Sequence, residues 1–202
     1  MAVINIRTKE VQVKIVYVGP GRGGKTTNLE FIFQHIRHRI QSDMVSIKTH
    51  GDRTLFFDFL PFDLGQIQGY KIKTQLYTVP GQVKYNATRK LVLKGVDGIV
   101  FVADSMEVMR EKNIVAMENL VENLSHYDID IYDKFPIILQ YNKRDLADED
   151  VALLDIETME SDLNAKLKAP FFEASAVKGN NVIATVKKAI STTIVSIQDH
   201  LA

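Results

Sequence analysis

The chain has 202 residues, and its 25 basic and 25 acidic side chains leave no formal net charge at neutral pH. The 46% hydrophobic and 25% charged content is typical of a soluble domain, so we expect one domain over residues 1–202. The balanced charge predicts neither a nucleic-acid partner nor attraction to an anionic membrane. The absence of cysteine excludes disulfides, thiolate metal sites and lipid anchors on cysteine. Without a signal peptide or a membrane-length apolar run, the sequence predicts a cytoplasmic protein that does not insert into a membrane.

A glycine-rich loop joins the first two predicted elements, an apolar strand over 11–18 and a helix over 27–39. The loop fits G-x-x-x-x-G-K-[ST], in which glycines let backbone N–H groups converge on a phosphate chain at a helix N-terminus. This pattern predicts that Lys25 reaches the β- and γ-phosphates of a nucleotide and that the Thr26 hydroxyl binds Mg2+. Taken alone, the loop has the alternative of a glycine-rich turn that binds no ligand. The nucleotide-contacting residues expected here are Gly19, Pro20, Gly21, Arg22, Gly23, Gly24, Lys25, Thr26 and Thr27.

The next part of the chain combines a predicted loop with a predicted hairpin. Residues 41–54 are polar, which predicts a long functional loop. Residues 55–64 and 70–79 are β-rich runs on either side of a short turn, which indicates an antiparallel hairpin. Two explanations of the first run stay open: a strand packed on both sides, or an exposed aromatic strand that docks a partner. Its phenylalanines fall on both faces, at Phe56, Phe57, Phe59 and Phe62.

Strands and helices alternate over the rest of the chain. The predicted strands are 98–104, 135–141 and 170–174, and the predicted helices are 83–94, 106–127, 155–167 and 179–201. This order predicts an α/β fold with a six-stranded, mostly parallel sheet, one antiparallel edge strand and helices on both faces. Ligands bind at the carboxyl ends of the strands in such sheets. The motifs of this chain follow strand ends, so we expect them to meet in one site.

A second motif, Asn142-Lys143-Arg144-Asp145, follows the strand over 135–141 and predicts a guanine site. The Asp145 carboxylate would accept hydrogen bonds from N1–H and the 2-amino group of guanine, and adenine would leave that carboxylate unpaired. We expect Lys143 to lie along the base plane and Asn142 to tie this loop to the phosphate loop. Ser175 and Ala176 follow the next strand, in a turn of small residues whose backbone N–H groups are expected to face the base carbonyl.

These motifs stand in the order typical of the Ras-like small GTPases, which the chain resembles from about residue 10 to 200. Longer strings resemble the bacterial MglA subfamily of polarity and motility GTPases, at 52–61, 76–83, 89–91, 94–98 and 140–146. The resemblance implies the small-GTPase (P-loop) fold, with GTP or GDP and Mg2+ as ligands. It also implies a molecular switch that hydrolyses GTP slowly in the absence of an activating partner.

The resemblance further implies roles for residues of two switch segments. Gln82 matches the glutamine that positions the attacking water, and the Gly81 N–H is expected to contact the γ-phosphate. Arg53 matches an arginine that acts as an arginine finger from within the same chain; a solvated loop residue is the alternative. Thr54 is expected to sense the γ-phosphate and to bind Mg2+, with Thr49 as a second candidate.

One position departs from the wider superfamily. Thr78 stands where most small GTPases have an aspartate that helps to hold Mg2+, although threonine is itself a trait of the MglA subfamily. A hydroxyl is a poorer ligand for this cation than a carboxylate, so we expect weaker metal retention or a contribution from Asp58. The alternative for Asp58 is an edge-strand carboxylate in solvent. Within the phosphate loop, Arg22 either modulates phosphate affinity or points into solvent.

The resemblance implies partners as well. A dimeric roadblock-domain activating protein, MglB, and effectors of polarity or motility are expected, with location at a cell pole through protein partners. Two other functions stay open from the residues alone. A nucleotide-gated binding scaffold with negligible hydrolysis is favoured by Thr78 and disfavoured by Gln82 and Gly21. A P-loop ATPase or kinase is disfavoured by the motif at 142–145.

Overall fold

The computed structural model describes residues 3–5, 7–36, 45–49, 53–67, 69–81 and 85–199. The strands are β1 Val3–Asn5, β2 Glu10–Val18, β3 Val45–Thr49, β4 Arg53–Ile67, β5 Tyr70–Thr78, β6 Gly98–Asp104, β7 Ile137–Asn142 and β8 Phe171–Glu173. The helices are α1 Lys25–Ile36, α2 Asn86–Leu93, α3 Arg110–Ser125, α4 Ile156–Leu163 and α5 Val182–Asp199. Two short 3-10 helices, Glu107–Met109 and Arg144–Glu149, lie between them.

One sheet contains all the described strands, in the order β3-β4-β5-β2-β6-β7-β8, with β1 beside the start of β2. The strands β5, β2, β6, β7 and β8 are parallel, whereas β3, β4 and β1 each pair in the antiparallel sense. The predicted α/β class is therefore confirmed. The predicted count of six strands was wrong, because the described residues form an 8-stranded sheet.

The two missed strands form by pairing with segments distant in the chain. β3 lies inside the predicted 41–54 loop and pairs with β4, so β4 is an inner strand and the sheet edge is β3. β1 covers the first residues of β2, where Val3 faces Gln12, before β6 begins to pair at Ile15. Three- and five-residue strands of this kind carry little signal of their own, because strand formation depends on cross-strand neighbours. The side chains of the aromatic residues in β4 lie outside the described part, so both explanations of them stay open.

Several helices are shorter than predicted, and the end of α4 shows why. The prediction ran to residue 167, but α4 ends at Leu163. The Asn164 amide then donates to the Ala169 carbonyl (2.9 Å), and its side-chain oxygen accepts from the Ala169 N–H (2.8 Å). These two hydrogen bonds close a turn before β8. Asparagine side chains often bond to nearby backbone groups in this way and so compete with continuation of a helix.

The core lies on both faces of the central strands. Side chains that alternate along β2 and β6 belong to two buried clusters: Val16, Val18, Ile99 and Phe101 on one face, and Ile15, Tyr17, Val100 and Val102 on the other. The first cluster packs under α2, α3 and α4, and the second under α1 and α5. Such double burial is typical of parallel sheets. The carboxyl ends of β2, β6, β7 and β8 consequently form a rigid edge that carries the loops. Within the described residues, each helix is too short or too polar to cross a membrane.

Candidate functional site

The phosphate loop runs from the end of β2 to the start of α1 and curls around the Lys25 side chain. The Lys25 ammonium donates to the carbonyls of Gly19 (3.0 Å) and Pro20 (2.7 Å), and the side chain is buried. The Gly23 N–H closes the turn by donating to the Pro20 carbonyl (3.2 Å). Because α1 begins at Lys25, its N-terminal N–H groups and helix dipole face the same loop. The arrangement suits a multiply charged anion.

Asn142, at the end of β7, joins three loops. Its amide donates to the Gly23 carbonyl in the phosphate loop (2.8 Å). Its side-chain oxygen accepts from the Ala176 N–H in the loop after β8 (2.8 Å). Gly24 has a φ of +97°, and a Cβ there would collide with the Asn142 amide, so the close approach requires glycine. The prediction that Asn142 ties its loop to the phosphate loop is confirmed, and the link extends to the third loop.

Lys143 and Asp145 lie beside this junction in different states. Lys143 has a left-handed backbone, with φ of +71°, and its ammonium forms an ion pair with Asp104 at 2.6 Å. The partly buried Asp145 carboxylate has no hydrogen bond or ion pair to any residue in the described part of the chain. Asp145 is therefore available as an acceptor, whereas Lys143 is already held by a partner.

Sequence reasoning missed Asp104, the residue that holds Lys143. It ends the otherwise apolar β6, and its side chain is fully buried. One carboxylate oxygen accepts from the Met106 N–H (3.1 Å) and the other faces Lys143. The Asn113 side chain exchanges two hydrogen bonds with the Asp104 backbone, at 2.9 and 2.8 Å. An acid that ends a buried strand at the edge where ligands bind was the signal that could have revealed it.

The turn after β8 is fastened from within the protein. The Ser175 N–H donates to the Asn180 carbonyl (3.2 Å), and the Ser175 hydroxyl accepts from the Lys178 N–H (3.0 Å). Since the Ala176 N–H donates to Asn142, both N–H groups expected to face a base carbonyl have partners in the protein. The turn therefore borders the site with small residues whose backbone is held in place by these hydrogen bonds.

On the opposite side, Gly81 lies directly against the phosphate loop. A Cβ at Gly81 would collide with the backbone of Pro20 and Gly21, so the two segments approach to a distance that only glycine permits. Thr78, three residues earlier at the end of β5, is fully buried. The segment that connects Thr78 to Gly81 thus carries the chain from the sheet to the phosphate loop.

The antiparallel register places Asp58 near Thr78, as expected. Phe59 pairs with Tyr77, so Asp58 and Thr78 are the next residues along β4 and β5, while Asp58 pairs with Ser46 on its other side. The alternative was wrong in placing Asp58 on an edge strand, because β4 lies between β3 and β5, and its solvent exposure stays untested. The Asp58 side chain lies outside the described part, so its contribution to Mg2+ stays a hypothesis.

Other predicted site residues are described only in part. Arg53 and Thr54 start β4 and pair with Thr49 and Lys48 through the backbone, and their side chains lie outside the described part. Gln82 lies outside the described residues. Thr26 and Thr27 are partly buried in the first turn of α1, and Arg22 is exposed. The structure thus brings together the phosphate loop, Gly81 and the loops after β7 and β8.

The residues present fit a guanine nucleotide with Mg2+. The loop supplies a buried ammonium and a helix N-terminus for phosphates, and Asp145 presents a carboxylate without a partner among the described residues. The described part of the chain has no cluster of three or more His, Cys, Asp or Glu side chains. Mg2+ is usually bound through one or two protein ligands together with substrate phosphates and water, and Thr26 offers a hydroxyl in the first turn of α1, beside the phosphate loop.

Comparison with known proteins agrees with this geometry. The model of the Ras family matches residues 14–195. The Mutual gliding-motility protein MglA of Myxococcus xanthus (strain DK1622) is 47% identical over 187 residues, which cover 93% of this chain and 93% of that protein. Ras-family proteins bind GTP and GDP with Mg2+ and hydrolyse GTP. With its phosphate loop, its base loops and these matches, the chain belongs to the Ras family of small GTPases, in the MglA subfamily.

Proposed function

We propose that this GTPase is a single G domain that controls cell polarity or motility by presenting different switch surfaces to effectors when GTP and GDP are bound. The observation that carries the proposal is the junction at Asn142, which ties the phosphate loop to both loops that would surround a guanine base. This one buried side chain would couple base recognition to phosphate binding. Such coupling suits a protein whose state is set by the nucleotide it holds.

Guanine selection is proposed to rest on Asp145. Its carboxylate is the acceptor needed for N1–H and the 2-amino group, and adenine would leave it desolvated and unpaired. The Asp104 ion pair holds the Lys143 side chain, whose stem is proposed to cover the base. Ser175 and Ala176 supply the backbone wall on the remaining side.

The phosphates are proposed to bind at the loop Gly19 to Thr27. Lys25 would exchange its two loop carbonyls for β- and γ-phosphate oxygens. The Thr26 hydroxyl and, in the GTP state, Thr54 are proposed to hold Mg2+. When bound, this cation neutralises charge that develops on the phosphate oxygens. The Gly81 N–H is proposed as a donor to the γ-phosphate.

Hydrolysis is proposed to depend on Gln82, Lys25 and Arg53. Gln82 would orient the attacking water, and Gly21 leaves room for it because it has no side chain. Arg53 would add positive charge when a partner remodels its segment, and an arginine finger increases the rate by roughly a thousandfold or more. Without that partner, turnover is expected about once per half hour or more slowly.

The proposed cellular role rests on the Myxococcus xanthus relative, whose name refers to gliding motility. By analogy, an MglB-like dimeric roadblock protein would activate hydrolysis, and effectors would read the GTP-bound surface. We propose that the protein is cytoplasmic and that protein partners bring it to a cell pole. Thr78 favours one alternative, a nucleotide-gated scaffold with negligible hydrolysis, because a neutral hydroxyl replaces the aspartate that helps to hold Mg2+ in most small GTPases.

Single-turnover hydrolysis of bound GTP with Mg2+ tests the proposal, with the protein alone and with the roadblock-type protein of the same organism. We expect slow hydrolysis that the partner stimulates strongly, with the stimulation lost in Arg53→Ala and Gln82→Leu. Tight binding of GTP over ATP without stimulated hydrolysis would support the scaffold instead. Equal affinity for ATP would contradict the guanine site.

A further inference from the structure

Arg89 lies within α2 and carries a charge almost completely out of contact with water. The residue is only 6% exposed, and burial lowers the pKa of its guanidinium below the usual value. An arginine remains charged in proteins even so. Because a buried cation is costly to desolvate, Arg89 requires hydrogen-bond partners within the protein.

Among the described residues, the guanidinium donates hydrogen bonds to three segments of the chain. One nitrogen, Nη1, donates to the Pro80 carbonyl (3.0 Å), and Nε donates to the Asn119 side-chain oxygen in α3 (2.9 Å). The third, Nη2, contacts the Asn86 side-chain oxygen in α2 at 3.4 Å. Asn123 braces this arrangement by donating to both asparagine oxygens, at 2.9 and 3.0 Å. The planar fork of arginine suits three acceptors in different directions, whereas a lysine cannot reproduce it.

The contact with Pro80 fixes the chain at the point where it leaves the sheet. The Val79 N–H donates to the Tyr17 carbonyl (3.3 Å), which ties the end of β5 to β2. Pro80 has no N–H, so its carbonyl is its one backbone hydrogen-bonding group, and that carbonyl is bound by Arg89. The next residue is Gly81, which lies against Pro20 and Gly21. Arg89 therefore holds the chain one residue before it reaches the phosphate loop.

A cavity borders this link in the described part of the chain. A cavity of about 500 Å³ lies between the phosphate loop and α3, and Gly81, Arg89 and Asn119 are among its lining residues. A backbone segment that borders a cavity is positioned less by apolar contacts and more by its hydrogen bonds. The Arg89 link is thus suited to set the position of Gly81 relative to the phosphate loop.

We propose that Arg89 is a positioning residue for GTP hydrolysis: by binding the Pro80 carbonyl, it sets where Gly81 lies relative to the phosphate loop. This inference rests on the proposed role of Gly81 in the GTP site. A purely structural role, in which Arg89 only fastens α2 to α3, predicts a loss of stability without a specific effect on hydrolysis. The chain offers a matched control for that role.

Tyr127 provides the control. Its hydroxyl donates to the Lys90 carbonyl (2.8 Å), so it also links the end of α3 to α2, one residue away from Arg89. This bond does not reach Pro80. Tyr127→Phe removes an α2–α3 hydrogen bond while it leaves the Arg89 network in place.

The experiment compares wild type, Arg89→Lys and Tyr127→Phe in three measurements: the single-turnover rate of GTP hydrolysis, the Kd for GDP and the melting temperature. Arg89→Lys is expected to lower the hydrolysis rate by about tenfold or more, because a small misplacement of a catalytic segment is costly. Its Kd for GDP should change by less than about threefold, since the base loops are untouched. Tyr127→Phe should melt at a lower temperature than wild type and hydrolyse GTP at the wild-type rate.

Equal hydrolysis rates in Arg89→Lys and wild type would overturn the proposal, as would an equal slowing in Tyr127→Phe. Should Arg89→Lys fail to fold, Asn119→Ala decides, because it removes the Nε acceptor from the partly exposed face of α3. A drop of about threefold supports positioning, since one of the described Arg89 bonds is lost, and a wild-type rate contradicts it. If wild type itself does not hydrolyse GTP, the proposed function fails and this inference fails with it. If wild type hydrolyses GTP and Arg89→Lys does so at the same rate, this inference fails and the proposed function stands.

Discussion

The base side and the hydrolytic side of the site are built in different ways. On the base side, the buried Asn142 side chain binds the phosphate loop and the turn after β8, and the buried Asp104 pairs with Lys143 across neighbouring parallel strands. On the hydrolytic side, the Arg89 guanidinium binds the Pro80 carbonyl, one residue before Gly81. From this difference we expect the base loops to contribute mainly to nucleotide affinity and the Pro80–Gly81 segment mainly to hydrolysis. Variants should therefore separate the two properties.

The largest expected effect is on base selection. Asp145→Asn should reduce the preference for GTP over ATP by about a thousandfold, because an amide cannot accept two hydrogen bonds from guanine as a carboxylate does. Competition of GTP and ATP for a fluorescent nucleotide measures this preference. The control is Asp148→Asn, in the same short helix. The Asp148 side chain is 81% exposed, and its carboxylate forms a long ion pair with the Lys178 ammonium, at 3.4 Å. Loss of preference in Asp148→Asn, or its retention in Asp145→Asn, would assign the selection elsewhere.

The next effect tests the junction of the loops. Asn142→Ala should raise the Kd for GDP by about a hundredfold, because it leaves the Gly23 carbonyl and the Ala176 N–H without their partner, at roughly 1–3 kcal/mol each. Titration calorimetry measures the Kd. Asn164→Ala is the control, since Asn164 is also buried and its side chain makes hydrogen bonds to Ala169 and Glu160, outside the site. We expect both variants to have lower melting temperatures than wild type and only Asn142→Ala to lose affinity for GDP. Equal Kd values for GDP in the two variants would contradict a role of the junction in nucleotide affinity.

A smaller effect is expected from the ion pair under Lys143. Asp104→Asn should weaken GDP binding by about tenfold, because the Lys143 ammonium loses its charged partner at 2.6 Å. The rate of GTP hydrolysis at saturating nucleotide should stay near the wild-type value, in contrast to Arg89→Lys. Glu173→Gln removes a nearby pair with Arg144 at 3.2 Å, in which the Glu173 side chain is 51% exposed. Exposed pairs contribute little, so that control should bind normally. If Asp104→Asn slowed GTP hydrolysis as much as Arg89→Lys does, the base side and the hydrolytic side would not contribute separately to affinity and hydrolysis.

Much of the site could be predicted from local sequence. The strand before Gly19, the glycine-rich loop and the helix after it are consecutive in the chain. Their local sequence pattern was therefore sufficient to predict them. Asn142 also followed from its motif, since that motif comes at the end of an apolar strand. The alternation of strands and helices predicted the α/β class for the same reason.

The tertiary structure decided which distant residues meet. Strand β3 exists because β4 pairs with it, and the polar character of 41–54 contains no sign of that pairing. Asp104 meets Lys143 only because β6 and β7 are adjacent and parallel, and Arg89 meets Pro80 only because α2 packs against the end of β5 and against α3. Sequence periodicity reports which face of an element is buried, but a buried charge is stabilised by partners elsewhere in the chain. The sequence by itself therefore determined the loops that hold the nucleotide. The fold determined the buried polar groups that hold those loops in place.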